Sequence, residues 1–242
     1  PTQWDSAQPY HLFSPQELNE HLKTDVQAGM NALWLKLDSK LHQTTLAGDG
    51  AALWGLNQWE DALDGIFLDA VSLYLDGGHT SQAATLALLS LLDERSVQPK
   101  NIFLGIDPCS LFAETGLIHT SLSENDPWLA QIYAHIAHRK IPARLLKVST
   151  TPYHNAGATP ATELAIMLAT LATYARSFSF SPDQLAQQVV LQLPVGRDFL
   201  GNIAKIRAAK GLFSAFFRAY ETTAVPYIHA HTSVRMMTIY DP

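Results

Sequence analysis

The sequence predicts an α/β fold in which parallel strands alternate with covering helices. Short apolar runs rich in Leu, Ile and Val recur along the chain without polar alternation, as expected of strands covered on both faces. Between them lie stretches with helical periodicity and recognisable start and stop signals. Successive strands are spaced by roughly 30–45 residues, which suits parallel strands joined by helical crossovers.

Pro1–Phe13 is polar and aromatic, and reads as an extended lead-in. Ser14 can cap a helix with Pro15 first and Glu17 at the capping-box position. That helix carries Leu18, Leu22 and Val26 on its apolar stripe and stops at Gly29, so residues 1–28 are taken as lead-in and first helix. Asn31–Leu37 (NALWLKL) is the first strand. Ser39–Gly55 is polar and glycine-bearing, with weak structural signals. A short helix over Asn57–Leu63 follows, then a brief extended piece at Ile66–Asp69. Ala70–Leu75 (AVSLYL) is a better strand, and the helix from Ser81 to Glu94 is unambiguous.

Asn101–Ile106 (NIFLGI) is a strong strand ending at Asp107-Pro108, with a helical turn at Ser110–Glu114. Pro127–His138 reads as helix and Ala143–Val148 as strand. Thr150–Thr159 reads as a polar loop bearing Tyr153, His154, Asn155 and Gly157. Thr159 is a plausible N-cap for the helix that starts at Pro160, with Glu163 in its first turn and a stripe running to Tyr174. Pro182–Ala186 leads into the strand Val189–Leu193 (VVLQL). Asp198 caps a helix to about Tyr220, and Val225–Ala230 is the last strand.

About six strands are thus expected. An open doubly wound sheet would use fewer residues per unit and carry a glycine-rich phosphate loop after its first strand, where this chain has LDSKLHQTT. A (β/α)8 TIM-type barrel over residues 29–242, cut short after about six strands, fits better; an open six-stranded sheet is the alternative.

The totals narrow the function classes. A chain of 242 residues, 47% hydrophobic, can bury a sizeable core. A net charge of −6 without a basic cluster offers no footprint for nucleic acid. The only cysteine, Cys109, excludes a disulfide framework and a thiolate zinc cluster. No apolar run reaches the roughly 18–20 residues that span a bilayer, and no leader pattern is present. The expectation is a soluble, cytoplasmic protein without membrane attachment. The chain opens on Pro1 rather than Met and stops at Asp241–Pro242, which reads as a piece of a longer polypeptide.

At the carboxyl ends of the strands, where a barrel carries its chemistry, lie Asp38, Asp76, Asp107, His154, Arg197 or Asp198, and the pair His229 and His231. Two residues apart on a strand, His229 and His231 face the same side and could share a metal, with Asp107 or His154 as a third ligand. That would make a metal-dependent hydrolase; the plainer reading is hydrogen-bonded polar residues at a barrel mouth, with no metal. Cys109 reads as a small buried residue. The chain shows no nucleophile elbow, no HExxH and no paired catalytic carboxylates.

Three long pieces, YHNAGATPATELAIMLAT (153–170), VGRDFLGNIAKIRAAKGLFSAF (195–216) and AHTSVRMMTIYDP (230–242), resemble the methylmalonyl-CoA mutase family, most closely its small subunit. GMNALWLKLD (29–38) and LDGIFLDAVSLYLDGG (63–78) look similar too. The resemblance implies an adenosylcobalamin-dependent isomerase that interconverts methylmalonyl-CoA and succinyl-CoA through a substrate-holding barrel and a separate cobalamin domain. That domain's DxHxxG segment does not occur in this chain, so the resemblance implies no cobalamin bound here.

Against the catalytic subunit's pattern, GIDPC places Asp107 at a substrate-touching glutamine, and the carboxylate-pairing arginine falls on Leu117. His154 keeps the histidine of the YHMQEAG motif in a shorter loop. The CoA-gripping arginine and serine fall on Gln188 and Val190. In the RxHxQTSG motif His229 matches the histidine and His231 the glutamine; the active-site tyrosine has no counterpart in SKLHQTTLAGDG. His154, His229, His231 and Asp107 are therefore vestigial catalytic candidates, and Leu117, Gln188 and Val190 mark a degenerate substrate site. The expectation is a non-catalytic small subunit that supports a large catalytic subunit in a heterodimer. An acyl-CoA binding module is a further alternative.

Overall fold

Seven parallel strands in chain order form the β framework of the computed structural model, which describes residues 4–12, 14–38, 50–117 and 121–237. The chain divides into two compact units, Pro1–Ile106 with Ala134–Arg144, and Asp107–Tyr133 with Leu145–Pro242.

In the first unit, β1 (Ala7–Tyr10), β2 (Ala32–Lys36), β3 (Ser72–Asp76) and β4 (Asn101–Ile106) pair successively in parallel. Strand β1 lies in the stretch read as lead-in, which raises the strand count from about six to seven. Its Gln8 and Pro9 break the apolar pattern, and Pro9 lacks a ladder donor, which an edge strand tolerates. Tyr10 fixes it inward, donating from its hydroxyl to Asp25 Oδ2 at 2.6 Å. Helix α1 (Pro15–Gln27) has the expected Ser14 cap. Helices α2 (Leu56–Ala62) and α3 (Ser81–Arg95) also match the reading. Ile66–Asp69 forms no strand, with a turn beginning at Leu68, and β3 starts two residues later than its apolar run suggests. Gly105 has φ +63°, and a Cβ there would meet the carbonyl oxygen of Leu75, so only glycine fits. Most of the SKLHQTTLAGDG stretch lies outside the described residues.

The second unit contains α4 (Pro108–Thr115), a full helix where only a turn was expected. Helix α5 (Leu122–Arg139) begins before Pro127, because Ser121 and Glu124 form a reciprocal capping pair: Glu124 N–H donates to Ser121 Oγ, and Ser121 N–H donates to Glu124 Oε2. Strand β5 (Ala143–Ser149) leads into α6 (Thr151–Asn155), a short helix in the stretch read as loop. Helices α7 (Pro160–Ser177) and α8 (Pro182–Gln188) precede β6 (Val189–Val195); α9 (Phe199–Arg218) precedes β7 (Tyr227–Thr232). β5, β6 and β7 pair in parallel. Leu145, Val148, Leu191, Leu193, Met167, Leu171, Phe213 and Phe217 form this unit's apolar core. No described helix is long and apolar enough to cross a membrane.

Candidate functional site

Two polar clusters lie inside the second unit, and helix α7 contributes to both. The first surrounds Asp107. Its carboxylate caps α4 by accepting from Ser110 N–H at 3.0 Å, and also accepts from Ser149 N–H at 2.8 Å and the Tyr174 hydroxyl at 2.8 Å. Asp107 is buried, and both carboxylate oxygens are engaged.

The groups beside it stay protonated. Burial, and then the Asp107 charge, push the Cys109 thiol up to about 11. Burial followed by Asp107 holds the Tyr174 phenol well above its ordinary value. Tyr153 is raised by burial, then by Cys109 and Asp107. The Asp107 cluster is therefore a structural knot with no activated nucleophile beside it.

The second cluster gathers His154, Glu163, Lys205 and Ser233. Helix α6 follows β5 directly and carries His154 near its end. After Gly157, whose φ of +104° makes the reversal, Thr159 caps α7 and sets Glu163 in its first turn. His154 Nδ1 lies 2.9 Å from Glu163 Oε1, and Nε2 lies 2.7 Å from Ser233 Oγ. Lys205 Nζ donates to Glu163 Oε2 at 3.0 Å and also to the carbonyl of Pro194. The Thr150 hydroxyl donates to Glu163 Oε2 at 3.2 Å. The Glu163 and Lys205 side chains are 1% and 2% exposed, so their charges are compensated by each other and by these hydrogen bonds. The His154 side chain is 13% exposed.

Other positions singled out by sequence are placed as follows. His229 and His231 sit on β7 with ring centroids 6.4 Å apart. Among the described residues, no group of three or more His, Cys, Asp or Glu could hold a metal ion. Leu117 is 53% exposed just beyond α4. Gln188 is buried and its Oε1 accepts from Leu145 N–H, while Val190 is packed inside β6.

Glu163 and Lys205 are the site residues the sequence reading overlooked, and both had a signal. Glu163 falls in phase with buried Met167, Leu171 and Tyr174, and Lys205 with buried Ala209, Phe213 and Phe217. A charge in register with an apolar stripe needs a buried partner. Ser233 had no comparable signal.

A family model described as Methylmalonyl-CoA mutase matches residues 1–242. The chain is 34% identical, over all of its length, to the "Methylmalonyl-CoA mutase small subunit" of Streptomyces virginiae, covering 38% of that protein. It is 31% identical, over 74% of its length, to the "Probable methylmalonyl-CoA mutase small subunit" of Mycobacterium tuberculosis (strain ATCC 25618 / H37Rv), covering 30% of it. It is 24% identical, over 87% of its length, to the "Methylmalonyl-CoA mutase large subunit" of Propionibacterium freudenreichii subsp. shermanii, covering 31% of it. The chain thus spans well under half the length of these relatives.

Proposed function

The chain belongs to the methylmalonyl-CoA mutase family, and we propose that it serves there as part of a small, non-catalytic subunit that supports a large catalytic one. The supporting observation is that its best active-site candidates are engaged with the protein itself. Both ring nitrogens of His154 are occupied by Glu163 and Ser233, and both oxygens of Asp107 by internal donors. Leu117 and Val190 offer a ligand carboxylate or phosphate no polar side chain to hold it, and the Gln188 amide oxygen is turned to the backbone.

On this reading the strands belong to a TIM-type substrate barrel, and the assembled enzyme interconverts methylmalonyl-CoA and succinyl-CoA. Adenosylcobalamin would supply the radical chemistry from the catalytic subunit. Nothing among the residues described above offers a built ligand set for that cofactor, and no step is assigned to it on this chain. What the chain supplies is an α/β surface for its partner.

The test is co-expression of the complete small subunit carrying this chain with the large subunit of the same organism. Stoichiometric co-purification is expected, with mutase activity unchanged when His154 and Asp107 of this chain are replaced by residues that preserve its fold. Turnover of methylmalonyl-CoA by the small subunit alone, with added adenosylcobalamin, would overturn the proposal.

A further inference from the structure

We infer that Ser233 is the residue that silences His154, by occupying the one ring nitrogen that Glu163 leaves open to a ligand. The inference rests on the non-catalytic reading above and gives it a physical cause. It follows from accounting for donors and acceptors. Glu163 is paired with Lys205 and accepts at Oε1, so His154 presents Nδ1–H to it. This tautomer is assigned from the hydrogen-bond network. Nε2 is then an acceptor, and the Ser233 hydroxyl donates to it at 2.7 Å. Ser233 Oγ in turn accepts from Arg235 N–H at 3.2 Å. If the imidazole takes a second proton, Nε2–H donates to Ser233 Oγ instead. Nε2 is occupied in either protonation state.

The blocking hydroxyl is fixed in place. Ser233 N–H donates to Val195 O at 2.8 Å, and Arg235 Nη1 donates to the His154 carbonyl at 2.9 Å. The segment after β7 is therefore fastened both to the end of β6 and to α6. A hydroxyl, an imidazole and a carboxylate in this order also form the relay of an acyl-transfer nucleophile. Two features separate this cluster from such a relay. Ser233 is only 2% exposed, leaving little approach for an acyl carbon. Lys205 already balances the carboxylate that would have to stabilise an imidazolium. The groups shut out from Nε2 of this tautomer are hydrogen-bond donors, such as a ligand hydroxyl or amide N–H.

The experiment is carbethoxylation by diethyl pyrocarbonate in the complete polypeptide carrying this chain, mapped by mass spectrometry. His154 should react slowly in the unaltered protein. S233A should accelerate it roughly two- to tenfold relative to exposed His138, the factor expected when one hydrogen bond is lost. S233T, which keeps the hydroxyl, should leave His154 protected. An unchanged His154 rate in S233A, or an accelerated one in S233T, would overturn the inference. So would labelling of Ser233 by a fluorophosphonate, which would reveal a working nucleophile. These readouts are independent of mutase turnover, so their failure is distinguishable from failure of the non-catalytic reading.

Discussion

Helix α7 ties together two polar clusters of opposite construction, Glu163 joining His154, Lys205 and Ser233 near its start and Tyr174 joining Asp107 further along. Asp107 is a single carboxylate held by neutral donors, two of them backbone N–H groups at the start of α4 and the end of β5. Much of that arrangement is an N-cap, which a short local sequence can specify. The His154 cluster instead draws on α6, α7, α9 and the segment after β7, and its two charges balance each other. An anion solvated by backbone dipoles tolerates loss of one donor. A buried ion pair does not tolerate loss of one partner.

The largest effect should therefore come from splitting that pair. E163L or K205M alone leaves one buried charge uncompensated and should cost about 3–5 kcal/mol. The double variant E163L/K205M removes both charges and should recover most of the loss, because an ion pair replaced by apolar groups of similar size is often neutral. Chemical denaturation of the four proteins gives the coupling. If each single variant costs no more than the roughly 0–1 kcal/mol of a surface pair, the contrast between the clusters fails.

The same contrast explains how far the sequence could be read. The apolar runs that became β2, β4 and β6 announced themselves because burial on both faces leaves no polar alternation to confuse them. The α7 and α9 starts were legible through Thr159, Pro160 and Asp198. Strand β1 was hidden by Gln8 and Pro9, which an edge position permits, and α6 is too short to show a helical period. Of the sites, His154 and Asp107 stood out by residue type and position after a strand. What they do was not legible, because His154 depends on Ser233, which lies 79 residues away and is brought to it by tertiary structure.

A smaller effect is expected at Asp107. D107A removes the α4 cap, strands the Ser149 N–H and leaves the Tyr174 hydroxyl only its longer bond to the Lys147 carbonyl at 3.4 Å, a loss of roughly 2–3 kcal/mol. Y174F removes one donor and leaves the two backbone donors in place, so it should cost about 1 kcal/mol. Denaturant midpoints measured with unchanged slopes would establish the order. Equal costs would mean that the phenol, rather than the helix cap, organises the knot.

The smallest effect, and the most specific to one cluster, concerns Cys109. Burial and the Asp107 charge raise its thiol to about 11, so at pH 8 it remains almost wholly protonated. Because the thiolate is the nucleophile, alkylation by iodoacetamide at that pH should be roughly a hundredfold slower than for a free cysteine. The pH–rate profile should rise with an inflection near 11. The sign for stability follows from the same shift. The native state holds this proton where the unfolded chain releases it, so the contribution is fully present below the unfolded pKa of about 8.5 and is lost as pH rises toward the native value. D107N removes the second cause and should lower the inflection, whereas S233A, in the other cluster, should leave it in place. A shift on S233A would show that the two clusters communicate through α7 rather than standing as separate solutions to the burial of charge.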